Sequence, residues 1–366
     1  MRLKISHALA LVCLVFPYSN FAAPVSVPPS AGGEGIEVAL DGLPAGGEVV
    51  LSAGKYLVRH PIILQKDGQT LRGCGDSTVL YLVDGANCPV VILGSLSADA
   101  KNPTKGVHLA DLFIDGNRKN QQKEVWRQLP DGAGVYNNGV DVWGAADATV
   151  ENVVCSHCRS GGLVTSTGTR RLTVRKFTAF DNQFDGLACY LTEESHFSHL
   201  NLHDNLAAAI SLDLSFNHNV IQDAILTGGD LGIFMRQSRS NVFERVTIKQ
   251  SRHHGVFMAA TGVETPEGWR LLPGTECTGN TFRNLLITHC GGKAFLVNDA
   301  CCDHNVISAS QFLDNAQGGL FQVVANLVTM QPADGNPQET AQPSKAPPDA
   351  HQARDDADAR VTKTAL

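Results

Sequence analysis

The chain has 366 residues, with 29 Lys and Arg against 36 Asp and Glu, a formal net charge of -7. That mild acidity gives no basic footprint for nucleic acid.

Residues 1–22 carry Arg2 and Lys4, an apolar stretch from Ala8 to Phe16 and small residues at Ala22 and Ala23. This predicts a secretory signal, too short to span a membrane as a mature helix. It places the protein outside the cytoplasm, secreted or periplasmic. Export makes disulfides admissible. Cys277 and Cys302 each stand three residues before a recurring asparagine in consecutive units, so stacking predicts a bond between them. Cys74 with Cys88 is a weaker pair. Cys155-x-x-Cys158 is a local disulfide or two thiols, and one such motif is weak evidence for zinc.

From Gly35 to Gly94, short apolar runs alternate with Gly and Pro, as expected for the first, irregular coils of a solenoid. Residues 35–60 are expected to close its open end, since unpaired strand edges invite association. Residues 95–105 and 118–138 break the pattern and are expected to leave it as loops. The second carries Trp126, Arg127 and Tyr136, a plausible groove wall.

A repeat then takes over. Gly139, Gly162, Gly186, Ala209, Gly232, Gly255, Ala294 and Gly319 are spaced by 23 to 25 residues except for one interval of 39. Each is followed by apolar residues at the first and third positions, such as Leu187 and Cys189, or Ile210 and Leu212. A period of about 23 residues with short strands predicts an all-β, right-handed parallel β-helix solenoid, whose coils bury their apolar faces by stacking. Asn219, Asn241, Asn280 and Asn305 recur 13 or 14 positions before the next opening residue and predict a hydrogen-bonded ladder. The ordered domain is expected over 34–328. Residues 331–366, with five prolines and no aromatic residue, are expected to form a disordered tail.

If positions one and three face the core, positions two and four face outward. Position four reads Trp143, Ser166, Tyr190, Asp213, Arg236, Ala259 and Asn298 in successive coils. An aromatic, a carboxylate and a guanidinium in one column suit a saccharide groove, although Asp213 with Arg236 also fits a surface ion pair. Asp185, Asp230, His253 and His254 lie just before opening residues, at the same edge. Position two begins with Asp141 and ends with the apolar stripe Phe234, Phe257, Leu296 and Phe321. Such a stripe needs a cover. The insertion 262–279, with Trp269, Leu271 and Leu272, is expected to supply it; a homo-oligomer interface is the alternative.

The run Phe113-Ile114-Asp115-Gly116-Asn117, followed by Phe180-Asp181-Asn182-Gln183-Phe184-Asp185-Gly186, resembles the parallel β-helix modules of mannuronan C5-epimerases and the wider pectate-lyase-like superfamily. The resemblance covers about residues 36–325. It implies the fold and chemistry on acidic polysaccharides. The epimerase motif Asp-Pro-His-Asp is missing, since the corresponding coil has Val164-Thr165-Ser166-Thr167.

Chemistry at C5 of a uronate requires a neutralised carboxylate, a base and an acid. Arg236 is the candidate neutraliser, His254 the base and Tyr190 the acid, with Asp213 in the same column. Trp143, Asp141, Asp185, Asp230 and Ser166 are candidate substrate contacts. The reading is a uronate lyase or C5-epimerase. A glycoside hydrolase using paired aspartates and a non-catalytic glycan-binding or surface protein are the alternatives. No membrane partner is implied. No acidic run has the spacing of a dedicated calcium loop, so no metal residue is named, and calcium stays open.

Overall fold

Small residues open the coils because the chain passes too close to its neighbour for a side chain. A Cβ on Gly232 would lie 2.4 Å from both the Gly255 carbonyl oxygen and Ile248 Cγ2, and one on Gly255 would lie 2.4 Å from Ile287 Cγ2. The strands that follow pair in parallel with the register Val140, Leu163, Leu187, Ile210, Ile233, Val256, Phe295 and Leu320. This is the alignment expected from the repeat.

A computed structural model describes residues 23–97, 102–129, 132–266 and 268–331. The predicted signal and all of the predicted tail but Gln331 lie outside them. Gln331 itself belongs to the last strand, Val328–Gln331. The fold is an all-β, right-handed parallel solenoid of about 12 turns, built on two sheets. The opening sheet takes the strand after each opening residue. The return sheet takes the long strands that close each coil, including Thr149–Ser156, Thr173–Phe180, His196–His203, Val220–Thr227 and Val242–Lys249.

Between the sheets lies one continuous core. First and third positions of the opening strands, among them Leu187, Cys189, Ile210, Leu212, Ile233 and Met235, are fully buried. Phenylalanines from the return sheet meet them, and Phe243 stacks on Phe282 with centroids 4.6 Å apart. Each long return strand bends at one left-handed residue: Asn152, Lys176, His199, Asp223 and Arg245 have φ between 51° and 54°. Pairing skips these positions. The bend turns their side chains outward, where Arg245 donates through Nε and Nη2 to the two carboxylate oxygens of Asp223, at 2.6 and 3.0 Å.

The predicted asparagine ladder is present. Each Nδ2 donates to the next Oδ1: Asn219 to Asn241 at 3.2 Å, Asn241 to Asn280 at 2.9 Å and Asn280 to Asn305 at 3.0 Å. The same Oδ1 atoms also accept the preceding coil's backbone N–H. A second, shorter ladder joins Asn182 to Asn205 at 2.9 Å.

Four expectations are corrected or refined. The N-terminal end is closed by an α-helix, Gly32–Gly42, whose Ile36 and Leu40 enter the core; the sequence suggested no helical run. The segment 118–138 does leave the coil, but as an antiparallel hairpin of Val125–Gln128 with Gly134–Tyr136. The insertion is also a hairpin, Gly262–Thr265 with Gly268–Leu271. Its Leu271 packs on the main core while Val263 and Leu272 stay exposed; the side chain of Trp269 lies outside the described residues. The disulfide expected between Cys277 and Cys302 is absent: the two stack, with the Cys277 N–H donating to Cys302 Sγ at 3.4 Å, yet both are free thiols. Cys74, Cys88, Cys155 and Cys158 are free as well.

Candidate active site on the opening sheet

Register places the fourth positions side by side. Trp143 pairs with Ser166 and Tyr190 with Asp213, and the Arg236 N–H donates to the Leu212 carbonyl at 2.8 Å, which sets Arg236 beside Asp213. Arg236 reaches Asp213 Oδ2 through Nε at 2.8 Å and Nη2 at 2.7 Å. The outward column was expected to face solvent, but Asp213 is 0% and Arg236 3% exposed. Burial on this scale makes the pair obligatory, because removing either partner strands a charge.

Tyr190 lies against this pair, half-buried. Burial raises its phenol far above the ordinary value, and the charges of Asp185 and Asp213 raise it further; a hydrogen bond with Ser211 and the field of Arg236 oppose them. The phenol therefore stays protonated at neutral pH. Asp185 is itself buried, its Oδ1 accepting the Ala208 N–H at 2.9 Å. Tyr190, Asp185, Ser211, Asp213 and Arg236 thus form one cluster drawn from three consecutive coils. Ser211 was missed as a site residue. Its signal was present, as the only hydroxyl at the second position between Ala188 and Phe234.

The other candidates stand apart. His254 belongs to the coil opened by Gly255, three steps from that of Tyr190, or about 14 Å at the usual strand spacing. Its Nδ1 accepts the Lys293 N–H at 2.9 Å, and its ring stacks on Phe257. Burial, then the charges of His253 and Lys293, lower it to about 4, so the neutral ring presents Nε2–H as a donor. Asp230 stands just before the strand Leu231–Met235, 2.8 Å from Nδ1 of the exposed His253 and 3.5 Å from Nε of Arg252. Trp143 is buried with Ile92 and Val135 in a cluster that also takes Trp126 and Leu129, so the 118–138 hairpin covers it. Asp141 is buried beside Asn138, whose Nδ2 donates to Oδ1 at 2.7 Å; burial first, eased by that bond, pushes its carboxyl up to about 7. Ser166 is half-buried.

The stripe Phe234, Phe257, Leu296 and Phe321 forms its own cluster with Ala208, Leu231 and Ala259, and the single chain already buries it. Cations flank it: Arg236 lies over Phe234 and Lys293 over Phe321. The insertion's Leu271 packs elsewhere.

Residues 131–284 match a family model described as periplasmic copper-binding protein (NosD). Among the described residues no three His, Cys, Asp or Glu side chains come together to hold a metal ion, so those residues offer no such cluster to copper. The mannuronan C5-epimerase AlgE4 of Azotobacter vinelandii is 31% identical over 172 residues, covering 43% of this chain and 29% of that protein. The chain thus spans less than a third of the length of the curated relatives it matches. Among solved structures, the A-module of the Azotobacter vinelandii epimerase AlgE6 superposes with a TM-score of 0.51 at 16% identity, covering 84% of this chain and 96% of that one. An alginate lyase from Paenibacillus sp. gives 0.59 at 11% identity, covering 84% and 99%. The chain is therefore a parallel β-helix, similar over part of its length to mannuronan C5-epimerases.

Proposed function

We propose that the protein acts on an acidic polysaccharide lying across the outer face of the opening sheet, by proton transfer at C5 of a uronate. The observation that carries this reading is the cluster itself: the phenol of Tyr190, protonated at neutral pH, lies within the field of Asp185, Asp213 and Arg236, and Arg236 is paired with Asp213. In elimination, a base removes the C5 proton, the C4–O bond breaks with its electron pair on oxygen, and Tyr190 protonates that oxygen. In epimerisation Tyr190 instead returns a proton to C5 from the opposite face. Asp185, whose charge acts on Tyr190, is the candidate base. Arg236, shared with Asp213, supplies a positive field for the charge that develops next to C5. His254, about 14 Å away, serves a different sugar unit as a hydrogen-bond donor rather than as the base.

Relatives that include mannuronan C5-epimerases support this reading, as does the predicted signal at 1–22, and together they favour a periplasmic or extracellular site of action. No helix among the described residues is long and apolar enough to cross a membrane. Hydrolysis is less supported, because Asp213 is committed to Arg236 and Asp230 to His253, and neither stands as a free acid opposite Asp185. Ultraviolet absorbance on a panel of uronate polymers, with and without calcium, separates the classes. A rising signal identifies a lyase; a flat trace with C5 proton exchange identifies an epimerase. Reducing ends without either would establish hydrolysis, and no change in any assay a pure binder.

A further inference from the structure

The return sheet carries a second feature, on a face the candidate site does not use. An open cavity of about 530 Å³ is lined by Asp76, Val79, Phe113, Val154, Thr178 and Phe180. Register explains how it arises. Val79, Phe113, Val154 and Thr178 stand in one outward column, and Tyr81, Asp115, Ser156, Phe180 and His203 in the next. Phe113 and Phe180 meet edge to face at 6.4 Å, and Phe180 stacks on His203 at 5.0 Å with the rings 2° from parallel. These rings are half-buried, so aromatic surface remains open across four coils, about 14 Å.

We propose that this cavity is a second carbohydrate-binding site, and that it takes a neutral sugar stretch rather than a uronate. Ring faces suit the apolar face of a sugar, and the exposed Asp76 accepts hydrogen bonds from hydroxyls. Of the cations beside it, Arg118 is paired through Nη2 with Asp181 at 2.9 Å, and Lys55 Nζ lies over the Tyr81 ring at 3.2 Å. His157 lies between Asp115 and Asp181, 3.4 Å from each. Three carboxylates, Asp76, Asp115 and Asp181, thus stand against two cations, Arg118 and Lys55, a balance that disfavours an acidic sugar. A second protein is a poorer occupant, since six lining residues fall well short of the roughly 20 to 30 per side that a stable interface uses.

Calorimetric titration of the full chain with cellohexaose, maltohexaose and mannohexaose, and with a hexauronate, tests this. At least one neutral hexasaccharide should bind, and Phe180→Ala should weaken it about tenfold or more, the loss of one ring burial. Asp76→Asn, at an exposed position that cannot unfold the coil, should weaken it several-fold. Turnover of short uronate substrates should be unchanged in both variants, which separates failure of this site from failure of the Tyr190 reading. Absence of binding by all three neutral probes, or binding unaffected by both substitutions, would overturn the proposal.

Discussion

Tyr190 shows how much one side chain owes to the residues one coil away. Burial and carboxylates on its own coil and the next hold its phenol above the ordinary value; if it is the acid, Tyr190→Phe should keep the fold and lower turnover by about 10²- to 10⁴-fold, the usual contribution of a positioned acid. Two other groups bear on stability with opposite signs. His254, lowered to about 4, stays neutral in the fold while the unfolded chain takes up a proton near 6.5; its contribution is present above that value and lost as pH falls toward 4. Asp141, raised from 3.8 to about 7, holds its proton in the fold where the unfolded chain has released it, so stability falls as pH rises across that range. The two offset each other between about pH 4 and 6.5. In Asp141→Asn only the histidine slope remains, and urea denaturation should show stability rising from pH 4.5 to 7 more steeply than in the parent. An unchanged slope would show that Asp141 titrates like an exposed carboxylate.

At the scale of the element, side-chain ladders hold the coils in register. Asn241 donates to Phe216 O and Asn280 Oδ1 while its own Oδ1 accepts from Asn219. Asn241→Ala removes this partner from two buried backbone groups, the Phe216 carbonyl and the Asn219 N–H, and should cost about 2–4 kcal/mol in chemical denaturation. Arg171→Ala, which breaks an exposed corner pair with Asp147, should cost under about 1 kcal/mol. Equal costs would mean that the ladder is ornamental. The asparagines were legible in the sequence because their spacing tracks the opening residues. The capping helix was not: Gly32, Gly33 and Gly35 occupy its first turn and imitate a loop, and only Ile36 and Leu40 mark its buried face. Leu40→Ala should cost about 2–4 kcal/mol by leaving a cavity under that cap. The left-handed bends were equally hidden, because Lys176, His199 and Arg245 take a conformation usually left to Gly, Asn or Asp.

Across the whole molecule, what the repeat controls was readable and what interrupts it was not. Position within a coil decided which residues share a column, and the structure keeps that alignment from Val140 to Leu320. It could not reveal that a hairpin from 118–138 covers Trp143, which depends on packing outside the repeat, or that Arg236 and Asp213 are buried. Nor did stacking of Cys277 on Cys302 amount to a bond. Under the two proposals, both faces of the solenoid have work: an acid–base cluster on the opening sheet and an aromatic cavity on the return sheet. The central claim is that Tyr190 transfers a proton to or from a uronate. Incubation of the parent chain and Tyr190→Phe with uronate polymers in heavy water, read by magnetic resonance at C5 and C4, tests it directly. The account predicts deuterium at C5 or an unsaturated product in the parent, and loss of that signal by about a hundredfold or more in the variant. Equal signals in the two, or none in the parent on any uronate polymer, would contradict it.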